Sequence, residues 1–266
     1  MDGATLKQLQ NVEFEILKAF DEYCRGHDIK YSLAGGSLLG AVRHGGFIPW
    51  DDDIDVAMTR AEYTKFCSCV MNEKIPSLTF SNFENDKFSG ICHGKLGKEG
   101  TVFLQQGDVE RIGHHEIWID VFPLDKNHVN EQNSETIKIG KELVLLTRAN
   151  FYRTNDGFLK RLIRFIVKLY PNRYGRMLKN AERLRELDAM IKDHFEWVSM
   201  SCFDSIKNVK FPRCLLDDYS EINFNGVPFM VFSGYREMLN IMYGDFMQMP
   251  PESERVCKHN PVKIKF

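Results

Sequence analysis

The sequence carries no surplus of either charge. Its 35 lysines and arginines are met by 37 aspartates and glutamates, for a formal net charge of -2, so the charge balance favours no nucleic-acid partner. There is no uncharged apolar run near the ~18 residues that a spanning helix requires. The longest candidate, residues 159–170, is broken by Lys160, Arg161, Arg164 and Lys168. Residues 1–10 lack the apolar stretch of a secretion leader. The seven cysteines are odd in number, irregularly spaced and without a CxxC pair, which argues against a disulfide framework and against a zinc site with paired ligands. Together these absences predict a cytoplasmic protein with reduced thiols.

What is present is the composition of an ordinary globular chain: 266 residues, 43% hydrophobic and 27% charged, enough for one domain or for one domain with a helical appendage. Leu6, Leu9, Val12, Ile16, Phe20 and Tyr23 recur at helical spacing and Gly26 follows them, which predicts an opening amphipathic helix. A short strand is expected at 29–33, then Gly35-Gly36-Ser37 opening a helix to Arg43, then a strand at 54–58. Thr59 and Glu62 form a capping box for a helix to about Asn72. Strand patterns follow at 78–83, 88–96, 101–104 and 115–122, where Pro123 should end the last of them. Residues 134–197 read as almost wholly helical, with Pro171 as the first residue of one helix. Asn225-Gly226 predicts a tight hairpin between 221–224 and 227–232, and Ser233 a cap for a short helix to Tyr243. The fold class expected is α/β (α+β): a mixed-sheet core over 1–130, a helical region over 131–200 facing acceptor or membrane, and a C-terminal hairpin and helix over 201–266 packed back on the core.

Chemistry concentrates in GGSLLGAVRHGGFIPWDDDID, residues 35–55. On a strand, Asp53 and Asp55 point one way and Ile54 the other. Two like charges on one face are tolerable where a divalent cation neutralises them, and Mg²⁺ suits a few carboxylates completed by water and phosphate. A solvated acidic turn is the plain alternative. The apolar residues on both sides of the run, Phe47, Ile48, Pro49 and Trp50 before it, weigh against that. A calcium loop is rejected because the position that needs glycine is Val56. Gly35, Gly36 and Ser37, between a strand and a helix N-terminus, offer backbone N–H groups to phosphate. A third acid, Asp120, stands alone in the apolar run Ile117-Trp118-Ile119-Asp120-Val121-Phe122, a costly place unless it is paired or metal-bound. The other reading is an acid capping the turn before Pro123.

Residues 35–55 closely resemble the LicD family of phosphocholine transferases, with the fukutin-related proteins as distant kin. HEIWIDVFPLD at 115–125 resembles that family's second motif, and Tyr243-Gly244-Asp245-Phe246-Met247 with Pro250-Pro251 its C-terminal motif. The resemblance implies a nucleotidyltransferase-type fold in which Gly36 and Ser37 match the turn, Asp53 and Asp55 the D-x-D, and Asp120 the later acid. It further implies Mg²⁺ (or Mn²⁺) on these three aspartates, a CDP-choline or similar CDP-alcohol donor, and a sugar acceptor on teichoic acid or another surface glycan precursor, free or lipid-linked. Asp51 and Asp52 are not placed by that pattern; by alternation Asp51 shares the metal face and Asp52 does not.

Further candidates have two readings each. Arg43 and His44 contact phosphate or acceptor, or simply end a helix. Lys95 binds phosphate or is an exposed strand lysine. Trp50 and Phe47 stack on a base or cage a quaternary ammonium, or pack the core. Residues 159–180 interleave seven lysines and arginines with apolar residues and contain no acid; they read either as a helix docked on anionic lipid at the inner face of the membrane or as a core helix with a solvated basic face. Two rival functions remain open: a nucleotidyltransferase moving a nucleoside monophosphate, and a non-catalytic nucleotide- or glycan-binding protein.

Overall fold

A computed structural model describes residues 1–105, 115–131, 134–150, 157–199, 209–257, 259 and 261–266. In chain order the elements are α1 (Gly3–Gly26), β1 (Ser32–Leu33), α2 (Gly35–His44), β2 (Asp55–Thr59), α3 (Arg60–Asn72), β3 (Leu78–Ser81), β4 (Gly94–Lys98), β5 (Val102–Gln105) and β6 (Trp118–His128). They continue with α4 (Glu135–Arg148), α5 (Phe158–Lys168), α6 (Arg173–Met190), β7 (Phe195–Ser199), β8 (Lys210–Pro212), β9 (Tyr219–Phe224), β10 (Val227–Phe232), α7 (Tyr235–Tyr243) and β11 (Pro261–Lys265). The fold is a mixed α/β one, with a large curled sheet and two small ones.

The large sheet runs β1-β2-β6-β4-β3, with β7 joined to β6 and β8 to β7. β2 and β6 are parallel, and the remaining pairs of this sheet are antiparallel. β9 and β10 form the predicted hairpin, with Asn225 and Gly226 both at positive φ, as its two-residue turn demands. It docks on the sheet where the Phe232 N–H donates to Ser32 Oγ at 3.1 Å. β11 pairs with β5.

The main core lies between the sheet and α1, α2 and α3. Leu9, Ile16, Leu17 and Phe20 of α1 are buried against Tyr31, Phe66, Val121 and Phe229. A second core unites α4 and α6 with Leu124, Trp197 and Phe211. A buried, bidentate ion pair, Arg60 to Asp125 at 2.7 and 2.8 Å, ties α3 to β6.

Several boundaries differ from expectation. Pro123 does not end β6. Phe122 and Pro123 fall between the stretch paired with β4 and the stretch paired with β7, where a missing N–H interrupts least. The helical pattern does not reach Trp197: Phe195–Ser199 is a strand, its preference decided by pairing with β6 rather than by local pattern. Pro171 precedes α6 by a turn in which Asn172 adopts φ 50. The cap of α7 is Gly234, not Ser233. β1 and β4 are shorter than the apolar runs that announced them.

Candidate active site

The site begins at the junction of β1 and α2. Gly35 has φ +53, and a Cβ on it would stand 2.6 Å from Asp55 Oδ2. A Cβ on Gly36 would stand 2.5 Å from Asp51 Oδ2. A side chain at either glycine would therefore push a carboxylate aside, and at Gly35 it would also strain the backbone. Ser37 is buried and its Oγ accepts the N–H of Asp55 at 2.8 Å, which locks the start of β2 to the first turn of α2. No side chain caps that helix at Ala34. The carboxylates of Asp51 and Asp55 lie at this N-terminal end, the end of a helix that favours negative charge.

Asp55 lies opposite Asp120 in the parallel register of β2 and β6. Asp53 comes just before β2 and is half-buried. Asp120 is 15% exposed and densely attended: His93 Nε2 is 3.0 Å from Oδ1, Trp118 Nε1 donates to Oδ2 at 3.1 Å, and Lys95 Nζ is 3.8 Å from Oδ1. Burial alone would raise the Asp120 pKa. Lys95, His93 and the hydrogen bonds from His93 and Trp118 outweigh it and hold the carboxyl well below its ordinary value. Lys95 is fixed by register, since it pairs with Asp120 across β4 and β6, and its Nζ sits 3.4 Å above the Trp118 ring.

Three groups here were not anticipated. Glu13 of α1 is buried, its Oε2 has no hydrogen-bond partner among the described residues, and burial together with Asp53, Asp52, Asp51 and Asp55 pushes its pKa well up. A readable signal existed, because Gln10 and Glu13 interrupt the apolar stripe of α1. Gln10 Nε2 donates to the Asp51 carbonyl at 2.9 Å, so this helix supports the acidic segment. Asp52 turns inward, is buried, and meets His259 through Nδ1 at 3.1 Å and its backbone N–H at 3.2 Å. Burial works against the His259 imidazolium, but Asp52 outweighs it and the pKa rises. His93 and His259 carried no sequence signal, since their partners are remote in the chain.

The other candidates scatter. Arg43 Nη1 donates to the carbonyls of Phe246 at 3.1 Å and Gln248 at 3.4 Å, tying α2 to the C-terminal motif. His44 stacks edge-on to Trp50 at 6.3 Å, and burial followed by Arg43 lowers its pKa. Trp50 and Phe47 both pack on the main core, and the Arg255 guanidinium lies 5.8 Å from the Trp50 ring. Among the described residues, no three His, Cys, Asp or Glu side chains already stand at the spacing of a closed metal site.

A parallel strand pair with opposed aspartates, beside a Gly-Gly-Ser helix start, is the arrangement expected of a nucleotidyltransferase-type site. More narrowly, residues 28–142 match the nucleotidyltransferase domain described for LicD/FKTN/FKRP. The chain is 27% identical over 274 residues to the lipopolysaccharide cholinephosphotransferase LicD of Haemophilus influenzae, covering 97% of each protein. It is 40% identical over 118 residues to an uncharacterized protein of Rickettsia typhi, over 44% of this chain and 36% of that one. A 30-residue stretch, 11% of this chain, is 60% identical to human ribitol 5-phosphate transferase FKRP, of which it covers 6%.

Proposed function

We propose that this protein transfers phosphocholine, or a similar phospho-alcohol, from a CDP-linked donor to a sugar hydroxyl of a surface glycan precursor such as teichoic acid, releasing CMP. The observation that carries the reading is the opposition of Asp55 and Asp120 beside the Gly35-Gly36 turn, in a chain that matches a cholinephosphotransferase along almost all of its length.

The donor set suits Mg²⁺, or Mn²⁺, in the mode where a few carboxylates share the ion with substrate phosphates and water. Asp53, Asp55 and Asp120 would hold it, and the bound ion would neutralise the donor pyrophosphate and the leaving CMP oxygen. The chain's own contribution is positional. The first turn of α2 receives a phosphate oxygen on its amides. Lys95, held between Asp120 and Trp118, places a positive charge at the edge of that cradle. In the transfer, the acceptor oxygen bonds to the choline-bearing phosphorus and gives its proton to solvent, while the pyrophosphate P–O bond breaks and its electron pair leaves with CMP. Catalysis of this kind rests on alignment and charge neutralisation.

The decisive experiment incubates the protein with Mg²⁺, a glycan acceptor and a panel of CDP-alcohols, following CMP. Expected is CMP release with one donor class, lost in Asp53→Ala and Asp55→Ala while each variant stays within about 1–2 kcal/mol of the parent in stability. Pyrophosphate released from a nucleoside triphosphate instead would favour nucleotidyl transfer, and full activity in either variant would remove the acids from the mechanism.

A further inference from the structure

The basic stretch singled out in the sequence has a placement that the transfer reading does not use. No residue of α5 is buried. Phe158 is 81% exposed, Leu159 68%, Phe165 59%, Ile166 58% and Leu169, just past its end, 65%. At about 100° per residue, Phe158, Leu159, Leu162, Phe165, Ile166 and Leu169 share an arc of roughly 120°. Lys160, Arg161, Arg164 and Lys168 occupy the opposite side, and no Asp or Glu occurs from 157 to 181. The helix meets the body along α4, where Val167 packs on the second core, and Arg164 and Val167 are its only partly enclosed positions. Both lie outside the apolar arc. The helix thus turns its greasy side outward, the reverse of a helix packed on a core with a solvated basic face.

We propose that α5 is a membrane-docking helix that lies in the headgroup plane of an anionic bilayer, with Phe158, Leu162, Phe165 and Ile166 inserted and its basic residues at phosphate level. The charge pattern selects this occupant. A second copy meeting it helix to helix would cover the apolar arc but bring no negative charge to the basic side, since the helix carries no acid. A bilayer supplies both an apolar interior and negative headgroups to the same helix. The inference does not depend on the transfer chemistry, which could fail while docking stands, or the reverse.

The test is co-sedimentation of the full chain with vesicles of phosphatidylcholine alone and with about one third phosphatidylglycerol. The expected result is binding to the anionic vesicles that weakens as salt rises and drops at least tenfold in the Phe165→Glu/Ile166→Glu double variant. A Lys160→Glu/Arg161→Glu variant should lose the preference for anionic lipid. Both variants should keep the parent's circular-dichroism spectrum and urea-unfolding midpoint, showing that they fold. No sedimentation with either vesicle would overturn the proposal. So would a dimer in solution that Phe165→Glu/Ile166→Glu dissociates, since the face would then belong to a second copy.

Discussion

The carboxylate of Asp55 rests on Gly35 so closely that a Cβ there would come within 2.6 Å of Oδ2. Replacing Gly35 by Ala should therefore do two things. The residue has φ +53, so any side chain adds backbone strain of about 1–3 kcal/mol. The new methyl must also displace Asp55, which should lower turnover far more than the strain alone explains. Gly100 is the control: its φ is +83 and nothing lies within 4 Å of its added Cβ. Gly100→Ala should lose comparable stability in urea unfolding yet retain its rate. Equal rate losses in the two variants would deny Asp55 a special place.

Asp55 and Asp120 face each other in register and are expected to act as one unit. Asp55→Asn and Asp120→Asn preserve shape, and the amide oxygen introduced by the second can still accept from Trp118. Each should reduce kcat by on the order of 10² or more. The double variant should be little worse than the poorer single one, because residues that work together are not additive. Multiplicative losses in the cycle would mean that the two carboxylates serve separate steps.

Arg43, in the last turn of α2, tests whether a cation at the far end of the helix from the glycine turn serves substrate or structure. Its guanidinium spans from α2 to carbonyls of the C-terminal motif. Lysine lacks the Nε–H that donates to His44 Nε2 at 3.0 Å and the planar head that holds this bond together with the carbonyl contacts. Arg43→Lys should cost about 1–3 kcal/mol of stability, the scale of charge-assisted hydrogen bonds, with kcat close to the parent value. A raised KM for the donor at unchanged stability would give Arg43 to the substrate instead.

Much of this arrangement was legible because it is local. The opening helix, the Gly-Gly-Ser helix start, the Thr59 cap and the Asn225-Gly226 turn all follow from residues a few positions apart. The motif drew attention to Asp53 and Asp55, and an acid stranded in an apolar run to Asp120, which the parallel register sets opposite Asp55. What could not be read depends on remote partners. Phe195–Ser199 becomes a strand because β6 has an edge for it. His259 reaches the site by pairing with Asp52, 207 positions away, and the inward turn of Asp52 is visible only once that partner is placed. The basic stretch showed its composition but not its orientation. That α5 turns its apolar side outward depends on how little of the helix α4 covers.

Glu13 offers a test of the acidic cluster that needs no substrate. Burial, then the charges of Asp53, Asp52, Asp51 and Asp55, raises its pKa well above the ordinary 4.5. In the folded chain it is consequently a neutral acid at pH values where the unfolded chain has already ionised it. Its contribution is fully present below 4.5 and is lost as pH rises toward the folded pKa, because ionisation there favours the unfolded state. Glu13→Gln keeps the shape and cannot ionise. Urea unfolding of parent and variant between about pH 4 and pH 9, with a chelator present so that cations do not mask the aspartates, should give curves that agree at the acid end. The parent should fall progressively below Glu13→Gln as pH rises. Curves separated by a constant offset would show that Glu13 is ionised in the fold, and that the aspartates do not act on it as their proximity requires.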